Sequence, residues 1–169
     1  MVSSANGAGS PPGSVLLSEE VGRCLRRRGL KLAVAESCTG GLLGGCLTEV
    51  AGSSDYFLGG IIAYSNPVKV AVLGVLPATL ELHGAVSAPC AAEMAAGVRR
   101  VMGADLALAL TGVAGPGGGT PDKPVGLVFA GLAGGGGTCV RELHLAGSRA
   151  EIRQAAVREI LVWLVRELT

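Results

Sequence analysis

A hydroxyl, a thiol and two glycines stand together just after a short apolar run. Residues 37–41 read Ser-Cys-Thr-Gly-Gly and follow the apolar residues 32–35. Apolar residues then recur at helical spacing over 42–50, so 37–41 is predicted to be a turn between a buried strand and a helix. Free N–H groups at a helix start favour negative charge, and glycine lets a ligand approach the backbone closely. Such a turn can hold a nucleophile beside a site for an oxyanion or a phosphate.

A second polar group follows another apolar run, at residues 58–63. Tyr64, Asn66 and Lys69 come directly after it. If the two apolar runs are neighbouring strands, their ends meet and a phenol and an amine stand near Ser37. These are the parts of a Ser-Lys hydrolase, which needs no histidine. The alternative is that Lys69 is a solvated surface charge and Tyr64 caps the core.

Two other side chains near the turn compete for a chemical role. Cys38 is a rival nucleophile, but the histidines of the chain, His83 and His144, are each predicted to cap or pack rather than to pair with it. Glu36 is predicted to orient the turn or to accept a hydrogen bond from a backbone amide. Ser37 with Lys69 remains the pair that we favour.

Composition predicts one domain, and its charge gives no basic patch of the kind that binds nucleic acid. The chain has 169 residues, of which 49% are hydrophobic and 16% charged, enough for one substantial core. The net charge is +1, and the basic run 26–28 ends a predicted helix, where cations complement the helix dipole. We therefore expect no nucleic-acid partner.

The cysteines and the apolar segments favour a cytoplasmic protein. The five cysteines include no Cys-x-x-Cys pair and are odd in number, so neither a disulfide framework nor a metal site is predicted. Glycines and charges interrupt every long apolar run, and residues 1–13 lack the apolar core of a signal peptide. We expect no membrane association, and we assign 1–14 to a disordered leader and 15–169 to the single domain.

Apolar strands alternate with amphipathic helices along the rest of the chain. This alternation predicts an α/β fold, a three-layer α/β/α sandwich on a mixed sheet of about five strands. The last two strands are predicted to form an antiparallel hairpin across the glycines 134–137. The predicted helices cover 15–28, 39–50, 66–73, 77–82, 89–102 and 149–168, and the predicted strands cover 31–35, 57–64, 105–111, 125–133 and 138–145.

The strand ends predict where a ligand binds. Ligands of open α/β sheets lie outside the carboxyl ends of the strands, and Ser37, Tyr64 and Thr111 all fall at such ends. The glycine- and proline-rich loop 112–124 is long for a mere connector. We expect these segments to converge on one cleft.

Six short motifs in collinear order resemble the CinA C-terminal domain family. The resemblance covers about residues 15 to 168, and six motifs in register make it specific. The motifs are Ala-Glu-Ser-Cys-Thr-Gly-Gly at 35–41, Ala-Gly-Ser-Ser at 51–54, Tyr-Ser-Asn-x-x-Lys at 64–69, His-Gly-Ala-Val-Ser at 83–87, Thr-Gly-x-Ala-Gly-Pro at 111–116 and Lys-Pro-Val-Gly at 123–126.

The resemblance implies an activity and the residues that perform it. Characterised members of the family are nicotinamide mononucleotide deamidases, so it implies hydrolysis of that carboxamide to nicotinate mononucleotide and ammonia, with no cofactor or metal. Ser37 would be the nucleophile, Lys69 the base and Tyr64 a relay or positioning group. The expected oxyanion and substrate contacts are Thr39, Gly40, Gly41, Asn66, Thr111, Gly112 and Arg149, the last at a substrate phosphate.

Two alternatives of other kinds stay open. In the first, the chain keeps a nucleotide pocket without turnover, as a regulatory module of the same family. In the second, it hydrolyses another small amide. The expected partner is a small nucleotide substrate. We also expect a homo-oligomer, and favour a dimer.

Overall fold

The fold is a mixed five-stranded sheet between two layers of helices. A computed structural model describes residues 12–169. The helices are α1 (Pro12–Arg28), α2 (Leu42–Thr48), α3 (Asn66–Val68), α4 (Pro77–His83), α5 (Ala88–Met102) and α6 (Arg149–Leu168), with a 3₁₀ turn at Ser53–Asp55 and a π-helix at Lys69–Leu73. The strands are β1 (Leu32–Glu36), β2 (Phe57–Ile62), β3 (Leu106–Gly112), β4 (Leu127–Gly134) and β5 (Gly137–His144).

The sheet combines a parallel half with an antiparallel hairpin. Its strand order is β2-β1-β3-β4-β5; β1 is parallel to both β2 and β3, and β3-β4 and β4-β5 are antiparallel. Glu36 at the end of β1 pairs with Ile62 of β2 and Leu110 of β3. The carboxyl ends of three parallel strands therefore lie side by side, as predicted. The α/β fold class with a mixed sheet of five strands is confirmed.

Strand β1 is buried on both faces because a helical layer covers each. Leu32 and Val34 face the core formed with α1, α2 and α6, and Ala33 and Ala35 face the core formed with α5. Every residue of β1 is buried. A central parallel strand with two covered faces explains why the sequence reads as a continuous apolar run.

Some predicted boundaries differ from the structure, and the backbone gives the reason. The second helix begins at Leu42 rather than at residue 39, because Gly40 and Gly41 have φ angles of 57° and 96° and form the turn instead. Helix α1 begins at Pro12, so residues 12–14 are helical and not part of a disordered leader. The rest of that predicted leader, residues 1–11, lies outside the described residues.

Candidate active site

Ser37 and Lys69 meet at the carboxyl ends of β1 and β2. The Lys69 Nζ lies 3.0 Å from the Ser37 Oγ. The same Nζ donates to the carbonyl oxygens of Ala63 at 2.8 Å and Tyr64 at 3.2 Å. The structure therefore places the predicted nucleophile within hydrogen-bond distance of the predicted base.

Lys69 is a buried amine. Its side chain belongs to the core, with 1% of the residue exposed, and Ser37 is 9% exposed. Burial lowers the pKa of Lys69, because an ammonium group loses its hydration there. In its neutral form the amine keeps two N–H donors for the carbonyls of Ala63 and Tyr64, and its lone pair can accept the Ser37 hydroxyl proton. This arrangement suits a general base.

Glu36 holds the start of α2 in place. Its buried carboxylate accepts backbone N–H groups from Gly41 at 3.0 Å, Leu43 at 3.0 Å and Gly44 at 2.8 Å. Three of the free N–H groups at this helix end are thereby satisfied by one side chain. Glu36 is committed to the backbone of the turn, which agrees with the orienting role predicted for it.

The same contacts correct the prediction for two of the oxyanion donors. The Gly41 N–H is donated to Glu36, and the Gly40 N–H is donated to the Ser37 carbonyl at 3.1 Å. Neither N–H is free for an oxyanion. Within residues 12–169, the turn leaves the N–H groups of Cys38 and Thr39 without an acceptor on another residue. Of the three predicted donors, Thr39 alone keeps a free N–H.

Cys38 is a neutral thiol in this environment. It is buried, and desolvation, with a further contribution from the nearby Glu36 carboxylate, raises its pKa to about 11. A thiol is a nucleophile only as its thiolate. The geometry therefore favours Ser37 over Cys38.

The structure brings Tyr64 and Arg149 together. The Tyr64 side chain contacts Arg149 and not Lys69. The Arg149 guanidinium donates to the Tyr64 Oη at 3.2 Å and to the Gly115 carbonyl at 2.8 Å. Tyr64 is 61% exposed, and only its backbone carbonyl accepts from Lys69. In this conformation the phenol is not a relay between Ser37 and Lys69, which corrects that part of its predicted role. It instead joins Arg149 at the mouth of the site.

Thr111 and Gly112 have structural roles that sequence reasoning did not anticipate. The buried Thr111 hydroxyl donates to the Ala85 carbonyl at 2.7 Å, which joins the end of β3 to the segment before α5. A Cβ atom at Gly112 would lie 2.7 Å from the Leu127 carbonyl oxygen, so the close approach of β4 explains this glycine. Asn66 is exposed at the start of α3, and its substrate contact stays a prediction.

Sequence reasoning missed Arg153. Its guanidinium donates to the Thr39 carbonyl from the second turn of α6, while its Nε and the Thr39 hydroxyl are buried without a partner among the described residues. Arg153 stands four residues after Arg149 and therefore on the same helix face. That spacing was the signal available in the sequence. Helix α6 thus contributes two arginines to the rim of the site.

Comparisons with known proteins agree with this architecture. The CinA C-terminal domain family matches residues 15–168. The chain belongs to the CinA C-terminal domain family. It is 52% identical over 148 residues to a CinA-like protein of Syntrophomonas wolfei, covering 88% of this chain and 36% of the relative. It is 50% identical over 153 residues to a putative competence-damage inducible protein of Halothermothrix orenii, covering 90% and 37%.

Solved CinA structures share the fold. The competence/damage inducible protein CihA of Agrobacterium tumefaciens superposes with a TM-score of 0.91 at 40% identity, over 94% of this chain and 98% of that one. The competence damage-inducible protein A of Klebsiella pneumoniae superposes with a TM-score of 0.89 at 37% identity, over 92% and 96%. The chain spans 36% to 37% of the length of the two relatives in the preceding comparison.

Residues 12–169 contain neither a membrane-spanning helix nor a cluster of metal-ligating side chains. None of their helices is long and apolar enough to cross a membrane. No group of three or more histidine, cysteine or acidic side chains there is arranged to hold a metal ion.

The burial of the thiols gives a direct test of the environment of Cys38. Cys24, Cys38, Cys46 and Cys90 are buried, whereas Cys139 on β5 is exposed. We expect Ellman's reagent at neutral pH to react rapidly with one thiol per native chain and with five after denaturation. Cys139→Ser should remove the rapid reaction. Rapid modification that persists in this variant and disappears in Cys38→Ala would contradict the assignment of Cys38 as a protected, neutral thiol.

Proposed function

We propose that this chain hydrolyses the carboxamide of nicotinamide mononucleotide to give nicotinate mononucleotide and ammonia. The observation that carries the proposal is the 3.0 Å contact between the Lys69 Nζ and the Ser37 Oγ in a buried setting. A hydroxyl beside a lysine of lowered pKa is an activated nucleophile of the Ser-Lys type. The substrate class comes from the resemblance of the sequence motifs to the family's deamidases.

The chemistry divides into two acyl-transfer steps. The Ser37 Oγ attacks the carboxamide carbon while Lys69 takes the hydroxyl proton. The tetrahedral intermediate then breaks its C–N bond, and the Lys69 ammonium gives the proton to the departing ammonia. Lys69 next deprotonates a water molecule that hydrolyses the Ser37 ester, which releases the nicotinate product and restores the serine.

Backbone N–H groups of the turn are suited to the developing negative charge. Those of Cys38 and Thr39 have no acceptor on another described residue and directly follow the nucleophile. An oxyanion bound there would lie next to the Ser37 Oγ, where preorganised donors act most strongly on the transition state. The Glu36 contacts hold this turn rigid.

Arg149 is suited to the phosphate of the substrate. It is exposed, begins α6 and already touches Tyr64 and Gly115 at the rim of the site. A guanidinium can bind a phosphate through two parallel hydrogen bonds. The charge of Arg149, supported by Arg153 one turn later, gives the site an anion-binding end away from Lys69. We expect this end to favour a nucleotide over a simple amide.

Ser37→Ala should abolish turnover because it removes the attacking oxygen. We expect kcat for ammonia release to fall by about 10³-fold or more, with substrate binding largely retained. Steady-state ammonia release and calorimetric binding of nicotinamide mononucleotide measure the two effects. Thr138→Ala, at an exposed hydroxyl on β5, which β3 and β4 separate from β1, is the matched control and should keep the activity of the wild type.

Three results of this experiment would overturn parts of the proposal. Binding without ammonia release in the wild type would indicate a silent nucleotide-binding module. Activity on other small amides alone would indicate a different amidase. A fully active Ser37→Ala variant, with an inactive Cys38→Ala variant, would transfer the nucleophile to the thiol.

The pH profile should report the ionisation of Lys69. The base must be neutral to act, and burial lowers its pKa, so kcat/KM should rise with pH with a midpoint below about 10.4, the ordinary lysine pKa. Lys69→Arg should be nearly as inactive as Lys69→Ala, since a guanidinium does not lose its proton in proteins. Lys31→Arg at an exposed lysine is the control. An active Lys69→Arg variant would contradict the role of base.

Substrate truncation should show that the nucleotide is recognised. Free nicotinamide should have a much lower kcat/KM than nicotinamide mononucleotide, because its hydrolysis leaves the phosphate contacts unused. The dinucleotide should also be poor if the loop 112–124 closes the phosphate end. Arg149→Ala should raise KM for the mononucleotide about tenfold or more without changing the rate for free nicotinamide. Arg158→Ala is the control, and equal kcat/KM values for all three compounds would exclude nucleotide recognition.

A further inference from the structure

Lys69 is the first residue of a π-helix, and this unusual turn sets where its side chain begins. The π-helix covers Lys69–Leu73 and ends at Gly74, whose φ is 73°. The Val75 N–H closes the turn by donating to the Lys69 carbonyl at 3.1 Å. Single π turns are rare and occur often at functional sites. The position of Lys69 therefore depends on what holds this segment.

Helix α5 approaches the end of the π-helix unusually closely at Gly97. A Cβ atom placed on Gly97 would lie 2.0 Å from the Leu73 carbonyl oxygen and 2.8 Å from its carbon. An ordinary carbon–oxygen contact is about 3.3 Å, so any side chain at 97 would push this backbone away by about 1 Å. Gly97 is buried in an ordinary helix and its φ is not positive. Close backbone approach is thus the reason for a glycine here.

Arg100 holds the same carbonyl from one turn further along α5. Its guanidinium donates to the Leu73 oxygen at 3.2 Å and lies across Gly74, where a Cβ atom would be 2.7 Å from the nearest nitrogen. Residues three apart on a helix share one face, so Gly97 and Arg100 act on the segment together. Gly97 permits the close approach because it has no side chain, and Arg100 donates to the Leu73 carbonyl that lies beside it.

We propose that Gly97 and Arg100 are positioning residues that dock the π-helix against α5 and thereby place the Lys69 amine on Ser37. This inference rests on the proposed function of Lys69 as the base. Neither residue touches the reacting atoms. Their effect passes through the backbone of residues 69–75.

The packing of this segment leaves little freedom to absorb a shift. Lys69, Leu73 and Val75 are each about 1% exposed, and Leu73 packs in the same core as Met94 and Val98 of α5. Well-packed interiors transmit a displacement rather than dissipate it. A retreat of the Leu73 carbonyl by about 1 Å should therefore lengthen the distance between the Lys69 Nζ and the Ser37 Oγ and admit water beside the amine.

Gly97→Ala is the direct test. We expect kcat for nicotinamide mononucleotide to fall by about 10²-fold, as misplacement by about 1 Å can cost, with KM within about threefold of the wild type. Water near Lys69 should raise its pKa toward the ordinary value, so the rising limb of kcat/KM should move to higher pH.

The titratable groups that face Lys69 are Cys38 and Cys90, and burial raises the pKa of each to about 11. Both thiols stay uncharged below about pH 9, so the rising limb of kcat/KM reports the ionisation of the Lys69 amine.

Arg100 variants test the same docking without adding atoms to the interface. Arg100→Ala should lower kcat and move the pH limb in the same direction, by less than Gly97→Ala. Arg100→Lys should recover part of both effects, since an ammonium can still donate to the carbonyl. Gly13→Ala on α1 is the matched glycine control, because a Cβ atom there has no neighbour within 4 Å. If Gly97→Ala does not fold, the two Arg100 variants decide the matter.

Hydrogen exchange separates this inference from the proposed function. Amides of residues 69–75 should exchange faster in Gly97→Ala than in the wild type, whatever reaction the protein catalyses. Faster exchange together with an inactive wild type would support the docking and overturn the proposed function. An active wild type together with an unchanged kcat and pH limb in Gly97→Ala and Arg100→Ala would overturn the positioning role.

Discussion

The burial of a single amine determines how this end of the molecule is built. Lys69 lies in the core, where water cannot hydrate an ammonium group, so each of its N–H bonds needs an acceptor from the protein. The chain supplies the carbonyls of Ala63 and Tyr64 and the hydroxyl of Ser37. The carbonyls come from residues just past β2, and the hydroxyl comes from the turn after β1. Parallel pairing of these two strands is therefore a requirement for burying the lysine, as well as a feature of the sheet.

A buried carboxylate, that of Glu36, stabilises the backbone at the same end of the sheet. Glu36 accepts three N–H groups at the start of α2, and its side chain fixes the turn that carries Ser37. The two buried ionisable side chains thus have separate tasks, one in the proposed chemistry and one in shaping the turn. Burial, with a smaller contribution from the Glu36 carboxylate, raises the pKa of Cys38 to about 11 and keeps its thiol uncharged. Arg149 and Arg153 join this turn and Tyr64 to α6.

The sequence predicted the α/β class, the five strands and the meeting of Ser37 with Lys69, because apolar periodicity and strand ends are local signals. The N-cap of α5 is a local feature of the same kind, in which the Ser87 Oγ accepts from the Cys90 N–H at 3.3 Å. The sequence did not predict the π-helix at Lys69–Leu73 or the role of Gly97, because both depend on how closely α5 approaches a distant segment. The donors Gly40 and Gly41 were misassigned for a related reason. Their type suits an oxyanion, but only the fold shows that other acceptors already take their N–H groups.

The order of the elements along the chain has a consequence for biosynthesis. Ser37 and Lys69 leave the ribosome before α6, whose arginines bond Thr39 and Tyr64 and which begins more than a hundred residues after Ser37. Helix α6 also packs against α1 and covers one face of the sheet. The nascent chain therefore carries Ser37 and Lys69 while the rim of the site and the helix that completes this face of the core are still missing. The segment of Lys69 already has its packing partners in α5 at that stage, so the part of the site that waits for the last helix is its arginine rim.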